Sequence, residues 1–282
     1  MLGMHFFLAC SIIIIMWQLI QSGWLSGIRT HSVRWLLVLA FAVLGAAWLA
    51  ANFSGRQPAT VALDVGLSGI RLVLLLMALF WVQELLGRDI ERKSLYFVLA
   101  YPVSRGTYLL SRFFAVALLL ALGVAILGGA LGGILQVLPV SYSQPTPVAL
   151  GASYVAVLVG VWLDLLVITA FALFLCCVST TPFLPLILGS FFALAARSLG
   201  ITLDFLLHSE NADPQQIKWL LPIIQAGKWL LPDLSRLDWR DLSLYGLPPD
   251  WMGMGWAAVM ALAYIGFLLG LGAHKLQTRE LL

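Results

Sequence analysis

Charge is what this sequence has least of. Only 10% of its 282 residues are Asp, Glu, Lys or Arg, against 61% that are hydrophobic. A soluble domain carries roughly 25% charged residues because its surface must be solvated. This chain cannot cover a water-facing surface, so most of its surface faces lipid. Cysteine is also scarce: Cys10, Cys176 and Cys177 all lie in apolar stretches. Adjacent cysteines rarely pair with each other, so no disulfide framework follows, and Cys176 and Cys177 read as small apolar packing residues. The formal net charge of +3 is too small and too scattered for a nucleic-acid partner, and no run of five basic residues occurs.

Enzyme signatures are missing as well. His5, His31, His208 and His274 stand alone without H-E-x-x-H spacing, and no serine sits in a G-x-S-x-G elbow, so no metal site or hydrolytic centre is expected. Gly87-Arg-Asp-Ile-Glu-Arg92-Lys93-Ser94 nearly spells a phosphate-binding loop, but its second glycine is Arg92 and an apolar helix precedes it instead of a strand. That loop works by letting backbone N–H groups wrap the phosphates, which needs both glycines. Gly253-Met-Gly255-Trp-Ala-Ala258 likewise has no strand before it, and reads as close helix packing.

Long hydrophobic runs are what the chain does have. A spanning helix needs about 20 mostly apolar residues. Six stretches are read as spans: 33–53, 65–86, 109–135, 148–178, 183–205 and 252–273. The fold expected is all-α and integral to the membrane, a single transmembrane domain over 1–282. The first segment, Phe6 to Ile20, is short and interrupted by Gln18. It has neither the basic leader nor the cleavage site of a signal peptide. A seventh span stays open; the favoured reading makes 1–28 an interfacial helix with Trp17 and Trp24 at headgroup level. Residues 206–251 form the longest polar stretch, rich in Trp and Pro, and read as an outer loop of short helices lying on the membrane surface before the last span. Some 40 residues cannot build much core of their own.

Lys and Arg placement sets orientation. With the N-terminus in the cytoplasm, the inside receives Arg29, Arg34, Arg88, Arg92, Lys93, Arg105, Arg112, Lys275 and Arg279, while the long outer loop carries Glu210, Asp213, Asp233, Asp238, Asp241 and Asp250. An even number of spans then returns the C-terminus to the cytoplasm.

Within the spans, small residues recur at helical spacing: Gly128 and Gly132, Gly129 and Gly133, Gly266 and Gly270. They let helix backbones approach closely, within the chain or between subunits. Ionisable residues inside spans are costly and carry more information. Asp164 falls mid-span, Arg197 and Arg71 lie nearer the outer ends of theirs, and Glu84 is near an inner end. Either Asp164 pairs with an arginine while Arg71 and Arg197 snorkel, or Asp164 lines a water-filled path or a subunit interface.

The most distinctive stretch is the basic connection from Glu84 through Arg88, Glu91, Arg92, Leu95, Leu99, Tyr101, Pro102, Val103, Ser104 and Arg105 to Arg112. It is a charged helix end, a short apolar cluster, a Pro-Val-Ser-Arg break and the entry to a new span, with Ser104 placed to cap the following helix. The cluster of Tyr96, Phe97, Leu99 and Tyr101 is too short to cross a membrane and must lie at the interface or against a partner.

At Glu91, Arg92, Leu95, Leu99, Pro102, Val103, Ser104 and Arg105 the sequence resembles the type-2 ABC-exporter permeases. Among their subgroups it is most similar to the permease of the nitrous-oxide-reductase maturation system, in Leu231-Pro-Asp-Leu-Ser-Arg-Leu-Asp-Trp239 of the outer loop. The motif match covers about 25 residues, the layout most of the chain; the unusually apolar N-terminal segment departs from the pattern. The resemblance implies a permease subunit in a bacterial inner membrane, with 87–108 as the segment that docks on a separate ATPase subunit. It further implies two permease copies enclosing a path and a periplasmic cargo protein as a possible partner. ATP and magnesium would sit on the ATPase, and none in this chain. Two rivals use the same residues: a membrane scaffold docking a soluble partner through that segment, and an ion-coupled transporter with Asp164 as its ion site. The latter predicts an inverted repeat, which the sequence does not display.

Overall fold

The computed structural model describes residues 16–27, 31–91, 104–138, 147–179, 181, 183–208 and 231–278. Among them every regular element is helical. Residues 16–27 form α1. Then follow α2 (His31–Phe53), α3 (Pro58–Val82) running through a π-turn (Gln83–Gly87) into α4 (Arg88–Glu91), and α5 (Arg105–Val137). After these come α6 (Ala152–Val178), α7 (Leu184–His208), a 3-10 turn (Leu234–Leu237), α8 (Arg240–Leu244) and α9 (Trp251–Thr278).

Each of the six sequence-predicted spans falls on one of the long helices. Among the described residues, four helices are long and apolar enough to cross a membrane: Pro58–Gly87, Arg105–Val137, Ala152–Val178 and Trp251–Thr278. Leu37–Phe53 and Leu184–Gly200 are shorter apolar stretches. The boundaries have local causes. Helix α3 begins seven residues ahead of the expected Val65 because Pro58 sits in its first turn, where a fixed φ and a missing N–H cost nothing. Helix α5 begins where expected, since Ser104 is its N-cap and accepts a hydrogen bond from the Thr107 N–H at 3.1 Å. Helix α6 starts later than the expected Val148, because Ala149 is paired off: its N–H donates to the Ser243 carbonyl at 3.0 Å and its carbonyl accepts from Ser243 Oγ at 2.7 Å.

Helix α6 is the axis of the bundle. It is apolar on all sides and buried over most of its length, as a helix surrounded by others must be; it packs against α3, α5, α7 and α9. Its contact with α5 uses the small-residue spacing noted above. A Cβ at Gly128 would lie 2.7 Å from Leu158, and Tyr154 on α6 donates its hydroxyl to the Gly128 carbonyl at 2.6 Å. Trp162 donates to the Ala117 carbonyl at 3.0 Å, farther along the same seam. Gly129 and Gly133 face open space, as do Gly266 and Gly270 on α9. Helix α2 packs on the outer side of α3 and turns Val38, Phe41, Trp48 and Phe53 outward.

Helix α1 buries Ile20, Gly23 and Gly27 along one face. Gly23 lies beside Ala115 and Arg112, Gly27 beside Leu119 and Trp81, and the Trp81 indole donates to the Gly27 carbonyl at 3.2 Å. So the described part of the N-terminal segment is docked on α3 and α5. Of the interfacial assignment, residues 1–15 lie outside the described residues.

The bundle has two ends. The basic end gathers α4, the start of α5 and the close of α9. The loop end gathers the starts of α3, α6 and α9, and the 231–250 segment covers it. That segment corrects one expectation. Its 3-10 turn and α8 are seated by one face rather than resting free: Leu234, Leu237, Ser243 and Leu244 are buried among α3, α6, α7 and α9, while Arg236 and Asp241 stay exposed. The physical reason is visible at two glycines. A Cβ on Gly160 of α6 would meet the Leu237 carbonyl at 2.6 Å, and one on Gly200 of α7 would meet Ser235 Oγ. Non-helical backbone is tolerated at such depth only where protein buries it, and these glycines make the room. Residues 209–230 of the expected outer loop lie outside the described residues.

Candidate functional site

Six charged side chains, five from four helices and Asp238 from the link before α8, form one continuous chain that joins the 231–250 segment to the bundle. Arg240 on α8 donates from Nη1 to Asp64 Oδ1 at 2.9 Å and to Ser68 Oγ at 3.2 Å, both on α3. Its Nε and Nη2 hold Asp238 at 3.0 and 2.8 Å. Asp238 also receives a two-pronged contact from Arg71 of α3, Nη1 to Oδ2 at 2.9 Å and Nη2 to Oδ1 at 3.1 Å. Arg71 Nε faces Asp164 Oδ2 on α6 at 3.6 Å, an ion pair too long to be a hydrogen bond. Arg197 of α7 completes the chain, donating to the same Oδ2 from Nη2 at 2.5 Å and Nε at 3.2 Å.

Three arginines and three aspartates make the group neutral, which is what a low-dielectric setting demands. Exposure falls steadily inward, from 51% for the Asp64 side chain through 26% for Asp238 and 10% for Arg71 to 1% for Asp164. One atom is left over: Asp164 Oδ1 is buried without a hydrogen-bond partner among the described residues. In the loop, burial pushes the Asp238 carboxyl up, but the hydrogen bonds and charges of Arg240 and Arg71 outweigh it and bring its pKa down to about 2. The same hydrogen bond to Asp238 holds Arg240 above its usual value although burial works against it.

Beside this chain, a cavity of about 620 Å³ opens between the loop and the start of α9, lined by Asp238, Trp239, Asp241, Asp250 and Trp256 among others. Asp250 is already engaged as a cap, accepting from the Gly253 N–H at 3.1 Å.

The basic end carries a second cluster. Tyr108, fully buried on α5, donates its hydroxyl to Asp89 of α4. Arg112 donates to the Tyr108 oxygen and to Asp89 Oδ2, both at 3.0 Å, with its guanidinium 4.9 Å from the Tyr108 ring centroid. Just before it, in the π-turn, half-buried Gln83 keeps its Oε1 out of water with no partner among the described residues; such widened turns often sit at functional sites.

Of the residues singled out from sequence, Asp164 and Arg197 are brought together. Arg88 pairs with Glu84 one turn back and is half exposed. Arg105 reaches across to α9, donating to the Leu276 carbonyl at 2.6 Å and the Gln277 carbonyl at 3.3 Å. Those are orphan groups of a helix C-terminus, where a cation is favourable. Glu91 ends α4, and Arg92, Leu95, Leu99, Tyr101 and Pro102 lie outside the described residues. Sequence reasoning missed Asp64, Asp89, Tyr108, Asp238 and Arg240. The loop aspartates looked like solvated surface acids. Nothing local to these residues signalled their roles, because each is bound to a partner on another element.

Fold and site together define a polytopic helical membrane protein whose spans are tied by buried ion pairs. Over 119 residues it is 36% identical to the probable ABC transporter permease protein NosY of Stutzerimonas stutzeri, a match covering 39% of this chain and 41% of that relative. The chain thus spans under half the length of the curated relative it matches. No protein-family model matches it.

Proposed function

We propose that this chain is the permease subunit of an ATP-driven transporter, and the observation that carries the reading is its similarity to a probable ABC transporter permease. Two copies pair in a bacterial inner membrane and enclose the path; α2 and α7 act as spans alongside the four longer helices, and both termini lie in the cytoplasm. Each copy is gripped at its basic end, through 88–105, by a separate ATPase subunit that holds ATP and magnesium. A periplasmic cargo protein would meet the loop end. Closure of the ATPases pushes the 92–103 connection, and the Asp89–Tyr108–Arg112 cluster passes the push to both flanking helices at once, because it ties α4 to α5.

The test is assembly. The chain in nanodiscs should hydrolyse no ATP alone, and should change the turnover of a cognate ATPase subunit when the two are mixed. Glu91→Ala or Arg92→Ala should cut that change several-fold and leave the isolated ATPase untouched. ATP hydrolysis by the purified chain sinks the proposal. A stable complex with no change in turnover would favour the scaffold reading, and an ATP-independent flux lost in Asp164→Asn the ion-coupled one.

A further inference from the structure

A guanidinium presenting two parallel N–H groups to two oxygens is a geometry proteins use to recognise carboxylates and phosphates. Arg71 makes that contact, at 2.9 and 3.1 Å. The carboxylate it holds is not supplied by a neighbouring span. It arrives on Asp238, between the 3-10 turn and α8, carried in by the 231–250 segment.

Beyond that contact the charges do not balance. Among the described residues, Arg71 and Arg197 share one deep carboxylate, Asp164, so these three side chains carry one positive charge in excess until Asp238 is counted. Arg240, which the loop brings with it, has Asp64 as a partner of its own. An unmatched charge is costly in the interior of a membrane bundle, and the Arg71 fork facing Asp238 suits an anion with two acceptor oxygens. A second, independent observation adds to the ligand's description. Asp164 Oδ1 is buried and accepts no hydrogen bond from the described residues, although its carboxylate lies next to the Arg71 guanidinium. A buried acceptor left unmade is unfavourable, and a donor group on the ligand would satisfy it.

We propose that Arg71, Arg197 and Asp164 form a binding site for a small oxyanion that also carries a hydrogen-bond donor, such as a hydroxy acid or hydrogen phosphate. Asp238 is its built-in occupant. The loop closes the site by presenting its own carboxylate, and a ligand enters by taking the place of that carboxylate on Arg71 while its donor reaches Asp164 Oδ1. The site accounts for the loop's depth, for the bidentate contact, and for two arginines sharing one aspartate. The claim that this ligand is what moves along the path rests on the permease reading; the binding itself does not.

The experiment therefore uses the full chain in nanodiscs with no ATPase present. Glycolate, hydrogen phosphate, acetate and chloride are titrated calorimetrically against the native chain and against Asp238→Ala, which removes the self-ligand. Glycolate or hydrogen phosphate should bind Asp238→Ala saturably and at least tenfold more tightly than the native chain, and acetate, lacking the donor, more weakly than glycolate. Which of the two binds better assigns the ligand as carboxylate or phosphate. Adding Arg71→Gln to Asp238→Ala should abolish binding. In the native chain the better ligand should raise hydrogen exchange across 231–250, a readout independent of how the variants fold. Absence of saturable binding in a helical, monodisperse Asp238→Ala overturns the site, as does equal binding after Arg71→Gln, or native exchange that no ligand alters. Saturable binding here, together with purified chain that neither joins a cognate ATPase subunit nor changes its turnover in the separate assembly test, would instead overturn the permease reading and leave the site standing.

Discussion

Asp164 has two arginines within reach but depends on one of them for hydrogen bonds. Arg197 supplies both bonds, whereas Arg71 at 3.6 Å contributes charge alone. Removing one partner of a buried pair leaves an uncompensated charge and costs about 3–5 kcal/mol. Arg197→Gln should therefore lower the thermal unfolding midpoint of the chain in nanodiscs markedly, and adding Asp164→Asn should restore part of the loss; no recovery would mean that Arg197 acts through packing. Asp238 gives a pH prediction with a defined sign. Its folded pKa of about 2 lies below the ordinary value of about 3.9. The stabilisation it contributes is thus fully present above about pH 4 and is lost as pH falls through about 2. Hydrogen exchange across 231–250 should rise over that window in the native chain and stay flat in Asp238→Asn.

At the scale of elements, the loop is seated by glycine and α9 is finished by an arginine. Gly160 faces a backbone carbonyl at 2.6 Å, which cannot swing aside as a side chain can. Gly160→Ala should displace the 3-10 turn, at a cost of about 1–3 kcal/mol for overpacking, with raised exchange confined to 231–250. Gly129→Ala, into open space, should instead leave the chain as stable or slightly more so, since alanine is the better helix former. Arg105→Ala frees the Leu276 and Gln277 carbonyls and should fray the last turn of α9, seen as faster exchange there, with Arg105→Lys intermediate. These contrasts mark what the sequence could and could not reveal. Long apolar runs gave the helices, and Ser104 and Pro58 set their starts, because both signals are local. The seat of the loop was illegible. Asp238 and Arg71 are far apart in the chain, an aspartate in a polar loop looks solvated, and a glycine that admits a backbone looks like one that merely packs. The positions of Asp164 and Arg197 were legible as costly charges; their pairing with each other needed the fold.

For the whole molecule the question is how its two ionic clusters communicate, and α3 is the element they share. Asp89 lies at its basic end, just past the π-turn, and Arg71 sits farther along the same rod, on the order of 27 Å away at 1.5 Å per residue. A continuous helix packed against a buried neighbour transmits a shift at one end with little loss, because close-packed interiors do not compress. If an ATPase draws on the 92–103 connection, α3 and α5 move together only while Asp89 is held to Tyr108 and Arg112. The resulting displacement of Arg71 must then strain its contact with Asp238, the more exposed and more easily parted of its two partners. On the permease reading, ATP binding to the assembled complex should increase hydrogen exchange across 231–250. Asp89→Asn should reduce that increase several-fold without releasing the ATPase subunit, since the substitution loosens the link between the two helices and leaves the connection between them intact. An undiminished response in an assembled Asp89→Asn complex would show that the push travels by another route, and would confine the Asp89 cluster to holding the basic end together.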